Sequence, residues 1–161
     1  MEFIPEQIIP YNDSRFYQKT QLNIDESSTV VYSETIVPGR IAMGEMFDFD
    51  VCYLKTEGTL NKKIQFRDSS LLIPKQQKIQ SLAMFDNKTI LTSVYVMTKK
   101  PVKKINKMFN EMFSQLSDIS GGSSIMSNNS GISIRILGNS SEDQKTTIYQ
   151  ILKIIRKEFL S

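Results

Sequence analysis

The spacing of apolar residues changes once along this chain, and that change limits the folds open to it. Up to residue 97 the apolar positions read as short strands. The clearest case is Phe47, Phe49, Val51 and Tyr53, with Asp48 and Asp50 between them, a period-two pattern that half-buries a strand. From Val102 the apolar residues fall at 102, 105, 108, 109, 112, 113 and 116, the three-and-four spacing of an amphipathic helix. The spacing predicts strands over 15–24, 29–37, 47–56, 60–66 and 89–97, with a short apolar run at 69–73 stopped by Pro74. Turns are expected at Glu57-Gly58-Thr59 and at Arg67-Asp68. Both faces of 89–97 are mostly apolar, so this strand is expected at the centre of a sheet. Residues 75–87 fit neither period. Pro5 and Pro10 suit residues 2–10 to an edge strand or an extended segment.

After the helix at 102–116, residues 120–130 carry Gly121-Gly122-Ser123-Ser124 and Asn128-Asn129-Ser130, a flexible composition that predicts a loop. An alternating strand follows at 131–138, with its isoleucines toward the core and Arg135 on the other face. The last helix is expected to begin at Ser141 as N-cap, with Glu142 and Asp143 in its first turn and Gln144 completing a capping box. Ile148, Ile151, Leu152, Ile155 and Phe159 form its buried stripe. No strand–helix–strand repeat occurs, which argues against a doubly wound nucleotide fold. The chain reads as one mainly β domain with two helices toward its C-terminus.

Composition removes several functions. The 161 residues are 40% hydrophobic and 23% charged, the balance of a soluble globular domain. A net charge of +3, with lysines grouped only at 99, 100, 103 and 104, does not suggest nucleic-acid binding. No apolar run reaches membrane-spanning length, and the first residues lack the features of a secretion signal, so a cytoplasmic location is expected. The chain has no histidine, which removes histidine acid–base chemistry, catalytic triads and cysteine–histidine metal clusters. There is no credible nucleophile–base pair for a hydrolase or transferase. Gly121–Ser124 lacks the lysine of a phosphate loop. Cys52 is the single cysteine, so no internal disulfide can form. It is expected on the strand face of Asp48 and Asp50, as a packed thiol rather than a reactive one.

Two features keep two readings each. Pro38-Gly39 and Gly44 bracket Arg40 and Glu45 just outside the expected strand. They describe a turn braced by an Arg40–Glu45 salt bridge, or a fixed polar patch for a partner or an ion. Met108, Phe109, Met112 and Phe113 on the first helix suit core packing, or a docking groove for a partner helix.

The sequence resembles the UreD (also UreH) family of urease accessory proteins. The resemblance rests on residues 2–11, Glu-Phe-Ile-Pro-Glu-Gln-Ile-Ile-Pro-Tyr, continued by residues 15–20. It extends through Gly39-Arg40 with Gly44-Glu45, Phe47 and Phe49, then Arg67-Asp68 with Leu71-Leu72-Ile73-Pro74, and the strand at 131–138. It implies a stacked, helicoid-like β architecture over 1–161, lacking the N-terminal half of the family fold. It also implies a non-enzymatic urease maturation factor. Such a factor is a scaffold or chaperone that joins a helical UreF-type protein and a UreG-type GTPase and delivers nickel to apo-urease. No membrane partner and no tightly bound cofactor are implied, only nickel in transit. Glu45, Glu2 and Asp68 match family positions and become weak oxygen contacts along a polar passage, or else salt bridges and turn caps. Arg40 is cast as an orienter or bridge partner rather than a ligand. Without histidine, any nickel contact here is carboxylate-rich and weak, and weak binding suits transit. The alternative is a generic β-rich interaction module with no metal role.

Overall fold

The computed structural model describes residues 1–159. In chain order its strands are β1 (Glu2–Phe3), β2 (Arg15–Ile24), β3 (Thr29–Ile36), β4 (Val51–Leu60), β5 (Lys63–Leu72), β6 (Ile90–Thr98), β7 (Ser120–Ile125) and β8 (Gly131–Gly138). The helices are α1 (Lys103–Ser114) and α2 (Ser141–Phe159). A five-stranded sheet has the order β1-β3-β6-β8-β7, and a three-stranded sheet the order β2-β4-β5. Pairings β1–β3 and β2–β4 are parallel, and the other pairings are antiparallel. β6 is central, as its two apolar faces predict.

Three layers result. One face of the large sheet offers Val31, Val94, Val96, Ile132, Ile134 and Ile136 to the apolar stripes of both helices. Its other face packs on the small sheet through two separate apolar clusters. Leu22, Ile24, Leu60 and Met97 lie in one of them, and Ile36, Phe49, Leu54, Leu72 and Phe85 in the other. Phe109 and Phe113 of α1 are buried between helix and sheet, while Met108 and Met112 are half-buried at the margin. Phe109 and Phe113 are core residues, and Met112 packs against them.

Several expectations are corrected. The strand expected from Phe47 begins at Val51, because Phe47 takes a left-handed φ of 58° that breaks an extended run. Phe47 and Phe49 still enter the core, from a loop, and their rings lie 6.3 Å apart. Cys52 therefore shares no strand face with Asp48 and Asp50, which precede β4. The turn expected at 57–59 is a β-bulge within β4. Gly58 serves close packing there, since a Cβ would sit 2.2 Å from Phe66 Cε1. The chain reverses at Asn61 and Lys62 instead, both left-handed, as a two-residue hairpin loop requires. Arg67-Asp68 is no turn but the middle of β5.

Residues 120–125 form an edge strand rather than a loop. Its open side is blocked by Asn110, whose side chain accepts the Ser123 N–H at 2.9 Å and donates to the Ser123 carbonyl at 3.1 Å. An amide so placed substitutes for a neighbouring strand and protects the edge. The cap of α2 lies one residue earlier than expected. Ser140 Oγ accepts the Asp143 N–H at 3.2 Å. Ser141 instead donates to Gln7, and Gln144 points into the core.

Phe109 is fully buried against both helix and sheet residues. Phe109→Ala should lower stability by about 3–5 kcal/mol, the usual cost of removing a buried phenylalanine ring. Urea unfolding of the purified protein measures this, and a loss under about 1 kcal/mol would contradict the packing described.

Candidate functional site

Strand alternation and register place a polar row between the sheets. On the small sheet Thr20, Thr56 and Asp68 are direct cross-strand partners. On the large sheet Glu34, Ser93 and Arg135 are direct cross-strand partners. Each strand turns alternate side chains to the same face, so both rows point into the inter-sheet space. They part the two apolar clusters that flank them.

Glu34 is at the centre and only 4% exposed. Thr56 Oγ1 donates to its Oε2 at 3.3 Å, and the Tyr32 hydroxyl lies 3.2 Å from the same oxygen. The Tyr95 hydroxyl is 3.3 Å from Glu34 Oε1 and 2.8 Å from Asp68 Oδ2. One hydroxyl proton serves one acceptor, and the shorter distance assigns it to Asp68. Arg135 forms an ion pair with Asp68 and lies over the Tyr95 ring, 5.5 Å from its centroid. Gln18 and Thr20 bond the Tyr32 hydroxyl at 3.1 and 3.2 Å. Stacked rings line one side, with Tyr32–Tyr95 at 6.1 Å and Phe66–Tyr95 at 5.4 Å.

Burial raises the Glu34 pKa, and the hydroxyls of Tyr32, Tyr95 and Thr56 only partly oppose it. Burial likewise pushes the Tyr32 hydroxyl up to about 12. The Cys52 thiol, fully buried, is pushed up to about 12 by burial and by the nearby Glu34 charge. A thiol so placed is packed and unreactive at neutral pH.

The acidic residues singled out in the sequence do not converge. Glu45 is gripped by Arg40, whose Nε lies 2.9 Å from its Oε2, and it accepts the Asn12 N–H at 3.3 Å. This guanidinium holds the Glu45 carboxyl below its usual range and also covers the Tyr11 ring at 4.3 Å. Glu2 takes two bonds from Arg156, at 2.9 and 2.5 Å, and is likewise held low. Asp68 alone lies on the inter-sheet row. Each of the three has its own arginine. Among the described residues no group of three or more histidine, cysteine, aspartate or glutamate side chains is placed to hold a metal ion. Sequence reasoning missed Glu34. Its signal was present, as an acid between Tyr32 and Ile36 on the inward face of a strand.

Glu34 binds its proton more tightly in the folded chain than in the unfolded one. Stability from this residue is therefore complete below its ordinary pKa of 4.5 and is lost as pH rises from there through the raised folded value. Glu34→Gln removes that titration. The variant should gain on the wild type as pH rises above 4.5, in urea unfolding from pH 4 to 8. A difference that does not change with pH would contradict the buried placement.

Comparison with known proteins agrees with the motifs. The family model described as UreD urease accessory protein matches residues 1–161. A urease accessory protein UreD from Cenarchaeum symbiosum is 31% identical over 141 residues, covering 86% of this chain and 50% of that relative. The UreD of Acetivibrio thermocellus is 29% identical over 156 residues, covering 97% of this chain and 58% of the relative. UreD 2 of Brucella canis is 27% identical over 169 residues, covering 100% of this chain and 55% of the relative. The chain thus spans about half the length of the curated relatives it matches. With its whole length matched, this chain belongs to the UreD family of urease accessory proteins.

Proposed function

We propose that this chain acts as a urease maturation factor, a scaffold or chaperone in the complex that delivers nickel to apo-urease. The observation that carries this reading is the family match over residues 1–161. The proposed partners are a helical UreF-type protein, a UreG-type GTPase and apo-urease. The role is not catalytic, and GTP hydrolysis belongs to the GTPase. A cytoplasmic setting goes with these partners. No helix of the described residues is long and apolar enough to cross a membrane.

Nickel is cargo in this reading. The inter-sheet row supplies oxygen donors without histidine, a set that binds nickel weakly and so allows release. Asp68 is the one of the three acids singled out in the sequence that lies on this row, and it serves as a transient contact when Arg135 yields it. Glu34 beside it adds a second carboxyl. Glu45, in a loop, and Glu2, in the short edge strand β1, act as braces. The alternative reading, an interaction module without metal handling, draws on the arginine held by each of these acids.

Reconstitution separates the two. Apo-urease, the helical accessory protein and the GTPase are incubated with nickel and GTP, with and without this chain. Urease activity should depend on the chain. Asp68→Asn should slow activation several-fold while complex assembly, followed by gel filtration, is unchanged. Full activation by the variant would remove Asp68 from the route. Activation that does not need the chain would overturn the reading.

A further inference from the structure

The segment after β1 bows away from the large sheet. Phe3 pairs with Tyr32, and Ile8 bridges Ile36, both in parallel register. Five steps of this segment therefore match four of β3, and the extra residue carries residues 4–7 away from the strand. Pro5 has no N–H with which to pair. The bowed segment is tied to α2 at both ends. Arg156 Nε donates to Glu2 at 2.9 Å, and Ser141 Oγ donates to Gln7 Oε1 at 3.1 Å. Between the ties lies a cleft of about 420 Å³, in the size range of small-molecule sites. Its frame is set by the fold, so a ligand has little ordering to impose.

The floor of this cleft holds an unmatched acceptor. Gln144 is fully buried and lines the cleft from α2. Its Nε2 donates to the Ile90 carbonyl at 3.5 Å. Its Oε1 has no hydrogen-bond partner, one of two such buried side-chain atoms among the described residues. Exchanging the two amide atoms would set Oε1 against the Ile90 carbonyl, acceptor against acceptor, so the unmatched atom is the oxygen. Folded chains pair nearly all their buried polar atoms, and an exception calls for an explanation.

The surroundings define what fits. Ile148 and Leu152 of α2 supply one apolar wall, and Ile4 and Pro5 of the bowed segment supply the other. The Thr35 hydroxyl is already engaged with Thr92 at 2.8 Å. Charges stay at the margins. Glu2 and Arg156 satisfy one another, and Glu6 and Lys145 are exposed. A cation brought to Gln144 would lose its water without gaining a counter-charge, which is costly. The buried end of a ligand is therefore a neutral N–H or O–H, and its body is apolar.

We propose that the cleft between residues 4–7 and α2 binds a small uncharged amphipathic molecule, an amide or an alcohol. Its donor bonds Gln144 Oε1, and its apolar body lies between Ile4 and Leu152. The site opens beside α2, apart from the inter-sheet row, and does not depend on the accessory-protein reading.

The test uses the full chain and two probes of one shape. Benzamide carries an N–H donor, and acetophenone has a methyl group in its place. Binding is followed by the backbone amide resonances. The proposal expects benzamide to move the resonances of residues 4–7 and 144–152, with a Kd of roughly 1–10 mM, as suits so small a molecule. Acetophenone leaves Oε1 unmatched and should bind about fivefold more weakly or worse. Gln144→Leu should erase that difference between the probes. Ile4→Trp, at an exposed position on the segment, should fill the cleft and abolish benzamide binding, and it carries the test if Gln144→Leu does not fold. No saturable shift with benzamide, shifts confined to other residues, or equal affinity for the two probes overturns the proposal. So does a preference for benzamide that survives Gln144→Leu, or benzamide binding that Ile4→Trp leaves unchanged.

Discussion

The two sheets are joined across a buried carboxyl. Glu34 sits in the inter-sheet space among the side chains of Tyr32, Tyr95 and Thr56. A lone buried charge is unfavourable, so such a group either keeps its proton or finds partners. Here burial favours the proton, and the neighbouring hydroxyls only partly oppose it. The row from Arg135 through Asp68 and Tyr95 to Glu34 links β8, β5, β6 and β3. It ties the register of one sheet to that of the other. A one-residue slip of β5 would turn Asp68 outward and leave Arg135 without its carboxylate, an outcome that alternation makes costly. The apolar clusters on either side supply burial, and the polar row supplies alignment.

The surface acids do different work. Arg40–Glu45 and Arg156–Glu2 tie loops and termini to the sandwich rather than forming a binding centre. Exposed pairs of this kind add little stability individually. Their use lies in geometry. Arg40 stacks on Tyr11 while Glu45 caps Asn12, so two loops distant in sequence hold one shape. That shape leaves Ile41, Met43 and Met46 exposed. Membership of a family of accessory proteins gives the arrangement a context in which surfaces matter more than reactive groups.

Much of the fold was legible because periodicity reports burial. β2 matches its expected range residue for residue, β3 and β6 each match to within one residue at either end, and α1 lies within its expected range. The errors cluster at glycine, serine and asparagine. Gly58 looked like a turn but answers to Phe66 above it, a contact no local window contains. Residues 120–125 looked like a linker, but pairing with β8 and the Asn110 side chain supply what their composition lacks. Phe47 fitted an alternating pattern while its backbone turned left-handed. The candidate site was half legible. Asp68 and Arg135 were noticed separately, for family position and for facing away from the isoleucines. Their pairing depends on packing between sheets, which sequence spacing does not encode. Glu34 was passed over because an acid in a strand reads by default as solvated.

The coupling between Asp68 and Arg135 tests the inter-sheet row most directly. A double-mutant cycle with Asp68→Asn, Arg135→Met and the double variant isolates their interaction in urea unfolding. If the row clamps the sheets, the coupling is about 1 kcal/mol or more, the range for residues in direct contact within one network. Additive losses, with coupling near zero, would mean that the two sheets are held by their apolar clusters alone and that the polar row aligns nothing.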